Sequence, residues 1–224
     1  MSLYIVSTPI GNLEDITLRA LNTLKSVDLI AAEDTRHSQI LLRKYEINKP
    51  CVSFHSHSGQ AKVDKIVDEL KEGKNVALIS DAGTPGISDP AYVLIRAALE
   101  NKIEIIPIPG PAAFLTALTA SGLPTNQFLY LGFLPLKKGR QTLLNLLKEE
   151  ERTVIFYESP HRIVKTLAQL EEYFGPERRI VLGRELTKIH EEFIRGTISE
   201  VKNIFKNRNP KGEFVVVLGG AGMV

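Results

Sequence analysis

The feature that most constrains the fold of this chain is a regular alternation between short β-branched runs and segments with helical periodicity. Through the first half, strand-like and helix-like segments take turns at 3–7, 16–27, 29–32, 38–45, 52–54, 61–70, 76–79, 91–99, 103–108 and 112–120. Such alternation is typical of βα units, because two neighbouring parallel strands need a crossover connection, usually a helix. We therefore predict an α/β fold that begins with a mainly parallel, doubly wound domain over residues 1–122, with helices on both faces of its sheet.

A second series of strands follows the break Gly122-Leu123-Pro124-Thr125-Asn126. Its strand-like runs lie at 128–133, 154–157, 180–182, 193–195 and 214–218, with two helical patterns between them. A third helix is expected to begin at the capping box Thr197-Ile198-Ser199-Glu200. This series predicts a smaller, mixed α/β domain over residues 123–224.

Composition points to a globular protein without a membrane span. The 224 residues are 43% hydrophobic and 24% charged, and no apolar run approaches the roughly 18 residues that a span needs. The N-terminal sequence MSLYIVSTPIGN has no basic region ahead of an apolar stretch, so it predicts a buried strand and not a secretion signal. We expect a cytoplasmic protein. The net charge of +2 does not identify a partner.

Three junctions between a strand and a helix combine a capping residue with a proline at the first helical position: Asp89-Pro90, Gly110-Pro111 and Ser159-Pro160. In open α/β sheets, ligands bind outside the carboxyl ends of the strands, where the N-termini of helices present free N–H groups. These loops are therefore candidate binding sites, although a proline in such a position is also ordinary helix initiation.

The segment SDAGTPGISDP, residues 80–90, is the most unusual in the chain. Its glycines and prolines stiffen the backbone, and its small side chains leave room for a ligand to reach main-chain groups. Asp81 stands where the strand ends, suited to accept hydrogen bonds from a ribose or an ammonium group. The segments 107–113 and 8–12 end neighbouring strands in a similar way, and we expect all three to line one edge of the sheet.

The sequence lacks the motifs of several common nucleotide-binding and metal sites. The sequence contains neither a Walker A motif nor a G-x-G-x-x-G fingerprint, which argues against a P-loop nucleotidase and an ordinary dinucleotide-binding domain. His55 and His57 have no cysteine or third histidine nearby to complete a metal-ligand set. We expect no metal site.

Six segments carry a specific resemblance: STPIGNLEDIT, AEDTRHS, SDAGTPGISDP, PIPGPAA, FYESPHR and GRELTKIHEE. In this order they resemble the signature blocks of the tetrapyrrole methylase superfamily, in the branch of the 16S ribosomal RNA small-subunit methyltransferase I enzymes. The similarity runs from the first strand almost to the last residue. One departure is that Gly83-Thr84-Pro85 replaces the glycine-aspartate-proline loop of the superfamily.

The resemblance implies S-adenosylmethionine as cofactor, bound in a cleft between two α/β domains and usually in a homodimer. It also implies methylation of a cytidine ribose 2′-hydroxyl near the decoding centre of 16S ribosomal RNA, either as free RNA or within the small subunit. We expect backbone groups of the three loops to hold the cofactor, Asp81 to fix one of its polar arms and Tyr157 to pack on it. The expected cofactor-binding residues are Pro9, Ile10, Asp81, Ala82, Gly83, Thr84, Pro85, Ile87, Pro111, Ala112, Ala113, Tyr157 and Leu186.

A ribose hydroxyl is a poor nucleophile while protonated, so a base or a group that stabilises the developing alkoxide is expected. Lys188 is the first candidate, because a desolvated lysine can act as a base when neutral or stabilise the alkoxide when charged. The alternative is that Lys188 only binds a phosphate or faces solvent. Further candidates from the matching blocks are Asp34, Arg36, Glu158, Glu185 and His190. The candidates for RNA contacts are Arg36, Lys137, Lys138, Arg140 and Arg162.

Two other functions are compatible with the same sequence. The shared fold permits a methyltransferase that acts on a tetrapyrrole, which would need a wide apolar trough. A module that binds the cofactor without catalysis and uses its basic groups to dock on RNA is the other alternative. Transfer of a radiolabelled methyl group separates the three hypotheses.

Overall fold

The computed structural model describes residues 1–55, 58–89 and 91–223, so His57 and Pro90 lie outside the described residues. The chain divides into two compact units, Met1–Ala112 and Ala113–Val224. Each unit contains one five-stranded sheet. The first unit is built from β1 (Ser2–Val6), α1 (Leu18–Ser26), β2 (Leu29–Ala32), α2 (Thr35–Lys44), β3 (Cys51–Ser53), α3 (Gln60–Lys71), β4 (Val76–Ile79), α4 (Ala91–Glu100) and β5 (Glu104–Ile108), with a short 3₁₀ helix at Leu13–Asp15.

The sheet of the first unit is parallel throughout, with the strand order β3-β2-β4-β1-β5. Its central strands β4 and β1 are neighbours, and the chain leaves them toward opposite sides of the sheet. Such a reversal of direction opens a crevice at the carboxyl ends of the strands. The geometry therefore places the three glycine- and proline-containing loops at the position where ligands bind in this class of fold.

Helices cover both faces of this sheet, as the alternation of the sequence predicts. On one face, apolar residues of α1 and α2 such as Leu24 and Leu42 pack with Ile30 and Ile79 of the strands. On the other face, α3 and α4 pack against a second cluster that includes Leu78. Because both faces are covered, β2 and β4 are buried along their whole length, which explains their continuous apolar sequences LIAA and VALI.

The second unit contains a mixed sheet with helices. Its strand order is β6-β7-β10-β8-β9, with a parallel pair between β6 and β7 and antiparallel pairs elsewhere. The predicted α/β class, with a parallel first sheet and a mixed second sheet, is confirmed. The elements are α5 (Ala113–Ser121), β6 (Phe128–Phe133), α6 (Arg140–Leu146), β7 (Thr153–Glu158), α7 (Ile163–Phe174), β8 (Arg179–Arg184), β9 (Glu192–Thr197), α8 (Ile198–Ile204) and β10 (Phe214–Leu218), with 3₁₀ turns at Leu147–Glu149 and Phe205–Asn207.

Helix α5 belongs to the second unit, whereas the sequence suggested a boundary after Gly122. It packs on β7, β8 and β10 through its buried residues Ala117 and Leu118. At Gly183 of β8, a Cβ would lie 3.4 Å from the Cβ of Ala117, an ordinary contact distance, so α5 lies directly against this strand. The second unit is consequently as long as the first and not smaller.

The predicted helix starts are confirmed in part. The capping box at Thr197 and Glu200 is present, and Asp89 accepts a hydrogen bond from the backbone N–H of Ala91 at 2.9 Å. Helix α7, however, begins at Ile163 and not at Pro160. Ser159 instead accepts bonds from the N–H groups of Arg162 and Ile163, which makes residues 159–162 a turn ahead of the helix. Within the described part of the chain, no helix is both long and apolar enough to span a membrane.

Candidate functional site

Three loops at the carboxyl ends of β1, β4 and β5 are joined by hydrogen bonds into one surface; we call residues 7–12, 80–89 and 108–112 the edge loops. Thr8 and Gly83 exchange two backbone hydrogen bonds, of 2.9 and 3.0 Å. The Thr84 hydroxyl lies 2.9 Å from that of Ser7 and donates to the carbonyl of Pro111 at 3.1 Å. The three loops that the sequence predicts at one edge are therefore held together there.

Gly83 is required at the centre of the edge loops. Its φ of +84° lies in the region that side-chain-bearing residues avoid, and a Cβ would meet Ile10 Cγ2 at 3.4 Å and the Pro111 carbonyl oxygen at 3.6 Å. The positive φ, and not lack of space, is therefore what favours glycine here. Of the expected cofactor residues in this unit, Ala82 is exposed and Asp81, Thr84, Ile87, Pro111 and Ala112 are half-buried, while Pro9, Ile10, Gly83 and Pro85 are buried.

Carboxylates cluster beside the edge loops, where β2 and β4 end. Asp81 accepts a hydrogen bond from the backbone N–H of Asp34 at 2.9 Å, and its own N–H donates to Glu33 at 3.4 Å. Burial and the nearby charge of Asp81 raise the pKa of Glu33, although the hydrogen bond from the Asp81 backbone opposes the change. The carboxylate of the neighbouring Asp89 accepts a hydrogen bond from the backbone N–H of Gly86 at 2.8 Å. This arrangement suits a cationic or hydrogen-bond-donating ligand. Glu33 was not among the sequence candidates, because only the pairing of β2 with β4 brings it beside Asp81.

Asp34 and Arg36, both sequence candidates, pair with each other at the start of α2. Asp34 accepts bonds from the Arg36 backbone N–H at 2.8 Å and from the Arg36 guanidinium at 2.9 Å. Hydrogen bonds from the Arg36 side chain and backbone lower the pKa of Asp34 to about 2. A carboxylate with so low a pKa is a weak base, so the structure argues against Asp34 as the proton acceptor. Arg36 is 89% exposed and stays accessible to an anion.

Glu158 ends strand β7 in the core of the second unit, and its side chain has no solvent exposure. It accepts hydrogen bonds from the Thr166 hydroxyl at 2.6 Å and from its neighbour Ser159 at 2.9 Å, and it pairs with Arg162 Nε at 3.1 Å. Enclosed in this way, the carboxylate does not reach a substrate hydroxyl. The structure therefore contradicts a catalytic role for Glu158 and makes it the centre of a buried ionic network.

Arg140 and Arg162 belong to this network, which corrects their assignment as RNA contacts. The guanidinium of Arg140 lies 3.8 Å from Glu158 and donates to Thr166 at 2.8 Å and to Gln169 at 2.9 Å, in a residue that is only 7% exposed. Arg162 donates to the carbonyl of Leu134 at 3.0 Å. Both arginines are engaged inside the protein, whereas Lys137 and Lys138 are exposed as expected.

Lys188 lies in the loop between β8 and β9, where two carboxylates hold its ammonium group. Its Nζ lies 3.0 Å from Glu185 Oε1 and 3.0 Å from Glu213 Oε2. Glu213 was not a sequence candidate. The antiparallel pairing of β8 with β10, with Arg184 opposite Phe214, brings it beside Glu185, and strand pairing of this kind cannot be read from the sequence.

The backbone around Lys188 is tightly constrained. Glu185 and Thr187 have positive φ angles of 49° and 66°. Gly212 has a φ of +90°, and a Cβ there would lie 2.5 Å from the side chain of Glu185, so another residue would strain the backbone and displace this carboxylate. Strained backbone in a loop that carries charged groups is frequent in functional sites. Leu186, expected to touch the cofactor, is 6% exposed, and His190 is exposed.

We predict that Lys188 titrates above its ordinary pKa of 10.5. Burial disfavours the ammonium, but hydrogen bonds from it to Glu185 and Glu213 outweigh burial and raise the pKa. The stabilisation that this pairing contributes is therefore complete below the unfolded-state pKa and is lost as the pH rises through the folded-state value. An NMR titration of the lysine side chains would test this prediction, and a Lys188 midpoint below 10.5 would contradict it. If the prediction holds, Lys188 is charged at neutral pH and does not act as a base there.

Tyr157, expected to pack on the cofactor, lies in an aromatic group on β6 and β7. Its ring centroid is 5.6 Å from that of Tyr130, in an edge-on arrangement, and 5.4 Å from that of Phe133. Burial, the largest cause, and the neighbouring Tyr130 raise the pKa of Tyr157, so the phenol is neutral. A neutral, half-buried ring is suited to contact an adenine or a ribose. Across residues 1–55, 58–89 and 91–223, no three His, Cys, Asp or Glu side chains come together as a metal site would require.

Comparison with known proteins identifies the family of this chain. The model of the tetrapyrrole (corrin/porphyrin) methylases matches residues 2–202. Proteins named ribosomal RNA small subunit methyltransferase I are similar over nearly the whole chain. The one from Synechocystis is 51% identical, with 98% of this chain and 79% of the relative covered, and the one from Thermotoga maritima is 49% identical, with 97% and 98% covered.

Solved structures agree on the fold at much lower sequence identity. Diphthine synthase superposes with a TM-score of 0.77 at 13% identity over 98% of this chain and 90% of its own. A cobalt precorrin-4 methyltransferase gives 0.73 at 18% identity over 97% and 94%. A uroporphyrin-III C-methyltransferase from Thermus thermophilus, solved with S-adenosylhomocysteine, gives 0.67 at 16% identity over 98% and 97%. The chain therefore belongs to the tetrapyrrole methylase family and, within it, to the ribosomal RNA small subunit methyltransferase I group.

Proposed function

We propose that this protein is an S-adenosylmethionine-dependent methyltransferase that methylates 16S ribosomal RNA of the small subunit. The observation that carries the proposal is the identity of about half of all residues, over nearly the full chain, with proteins named for this activity. The acceptor that we propose is the 2′-hydroxyl of a cytidine ribose. We further propose that the enzyme works in the cytoplasm as a homodimer, on free RNA or on the small subunit.

The edge loops fit the proposed cofactor. S-adenosylmethionine would supply a methyl group activated by its positively charged sulfonium, and it also carries an ammonium group and ribose hydroxyls. The half-buried carboxylate of Asp81 is placed to accept hydrogen bonds from such donors, with Glu33 and Asp89 beside it. Gly83 adopts without strain the positive φ of +84° that the backbone has at this position. We propose that the backbone at 82–85 and 111–113 holds the cofactor. Cofactor contacts of Tyr157 and Leu186 stay predictions from the resemblance.

The chain's own contribution to methyl transfer is alignment and electrostatic stabilisation. In the reaction the ribose oxygen forms a bond to the methyl carbon while the carbon–sulfur bond breaks, and the oxygen loses its proton. We propose that the charged Lys188 donates a hydrogen bond to the oxygen and stabilises the negative charge that develops there. We further propose that the carboxylate of Glu213, 3.0 Å from Lys188 and 81% exposed, accepts the proton.

Transfer of a radiolabelled methyl group tests the proposed function. The purified protein, labelled S-adenosylmethionine and small-subunit RNA or subunits are expected to give label in the RNA. Label in an added tetrapyrrole, with none in the RNA, would favour the chemistry of the structurally similar corrin and porphyrin enzymes. Cofactor binding without transfer to any acceptor would indicate a non-catalytic module. Either result would overturn the proposal.

A further inference from the structure

The end of β6 and the segment that follows it, residues 133–139, combine exposed apolar and cationic side chains; we call these residues the basic loop. Phe133 is 57% exposed and Leu136 is 75% exposed. Lys137 and Lys138 follow directly, both exposed, and neither forms an ion pair with a carboxylate in the part of the chain that the structure describes. Exposed aromatic and apolar groups next to uncompensated positive charge indicate a surface that binds an anionic partner with apolar faces.

The basic loop is fixed to the core by its backbone. Arg162 donates to the carbonyl of Leu134 at 3.0 Å, and Arg140 donates to the carbonyl of Pro135 at 3.1 Å. The backbone N–H of Arg140 bonds the carbonyl of Lys137 at 3.2 Å. Buried Leu134 anchors the beginning of the loop, so its backbone is tied down at both ends while its lysine side chains face solvent.

The buried carboxylate of Glu158 orients both of these arginines. It pairs with Arg162 at 3.1 Å, and the Thr166 hydroxyl connects it to Arg140 through bonds of 2.6 and 2.8 Å. Ordering a loop on binding costs free energy, so a loop that is already ordered binds more tightly. The network thus gives the basic loop a defined shape before any partner arrives.

We propose, on the basis of the proposed function, that the basic loop is a preformed docking element for a single-stranded stretch of RNA. The exposed face of Phe133 stacks on an unpaired base, and Lys137 and Lys138 contact the adjacent phosphates. A ring that two lysines follow within five residues suits the alternation of base and phosphate along a strand, and stacking accepts any base because every base has a π face. The ring of Phe133 also packs against the ring of Tyr157, with centroids 5.4 Å apart, and this contact limits the movement of the Phe133 ring.

Binding of a 16S RNA transcript by fluorescence anisotropy, at several salt concentrations, tests the proposal. Phe133→Ala is expected to weaken binding by about 5- to 150-fold, the range for loss of one stacked base. Phe133→Leu, which keeps apolar bulk without a ring, should bind the RNA as weakly as Phe133→Ala does. Phe133→Tyr should bind it like the wild type. The double variant Lys137→Ala/Lys138→Ala should reduce the slope of log Kd against log salt by about 1.5, since each phosphate contact contributes roughly 0.7 to 0.9.

The double variant Lys62→Ala/Lys65→Ala, in exposed positions of α3, is the matched control and should leave the slope unchanged. Unchanged affinity in Phe133→Ala, or an unchanged slope in Lys137→Ala/Lys138→Ala, would overturn the proposal. Its failure is distinguishable from that of the proposed function. If the wild type methylates RNA but these variants bind normally, only the docking element is wrong. If the variants lose RNA binding but the wild type transfers no methyl group, only the enzymatic proposal is wrong.

Discussion

Replacing Glu158 with glutamine is expected to lower the free energy of unfolding by about 3–5 kcal/mol, the usual cost of removing one partner from a buried ion pair. The substitution keeps the shape of the side chain but leaves the guanidinium groups of Arg140 and Arg162 without their anionic partner, 9% and 25% exposed respectively. Burial already lowers the pKa of Arg140, although Glu158 opposes that change, so loss of the carboxylate makes the cation more costly still. Chemical denaturation of both proteins measures the difference.

Glu192→Gln is the matched control for this substitution. Glu192 also pairs with two arginines, Arg184 at 3.3 Å and Arg208 at 2.5 Å, but its side chain is 34% exposed. Exposed ion pairs contribute about 0–1 kcal/mol, because water screens the charges and solvates them once the pair is broken. Equal losses of stability in the two variants would show that burial does not decide the contribution of these networks.

Replacing Lys188 with alanine is expected to reduce the rate of methyl transfer by about 10²–10³-fold, the typical effect of removing one donor that stabilises charge in a transition state. The substitution also leaves Glu185 and Glu213 close together without their shared cation. Binding of S-adenosylmethionine, measured by calorimetry, should remain nearly intact, because Lys188 is proposed to act on the acceptor oxygen and not on the donor.

Lys211→Ala, at an exposed lysine near the same loop, should transfer methyl groups at the wild-type rate. Single-turnover measurements separate a slower chemical step from weaker RNA binding. A Lys188→Ala variant with a normal single-turnover rate would remove Lys188 from the mechanism. If the rate is normal but RNA affinity falls, the alternative role of phosphate binding is correct.

The fold could be predicted from the sequence because local patterns determine most of it. Fully buried parallel strands such as β4, with the sequence VALI, appear as continuous apolar runs, and glycine and proline mark the loops at their ends. The capping box of Thr197 and Glu200 could also be predicted from the sequence, because its two residues are close in the chain. The assignment of α5 to the second unit could not be predicted, because its apolar residues do not indicate which sheet they cover.

The site could be predicted only where its residues share a loop. The edge loops were located from their composition, and the structure joins them through bonds such as that between Thr84 and Pro111. The roles of charged residues were harder to predict, because charge is ambiguous without burial. Arg140 and Glu158 resembled surface and catalytic groups in the sequence, yet they neutralise each other inside the second unit. Glu213, 25 residues from Lys188, meets it only through strand pairing.

The most direct measurement of the central claim is mass spectrometry of 16S ribosomal RNA from cells with and without this protein. It reports the nucleotide and the position of the methyl group together. We predict that one cytidine carries a methyl group on its ribose 2′-oxygen only when the protein is present, and that the modification returns when the gene is restored. Identical methylation of the RNA in both kinds of cell would contradict the account.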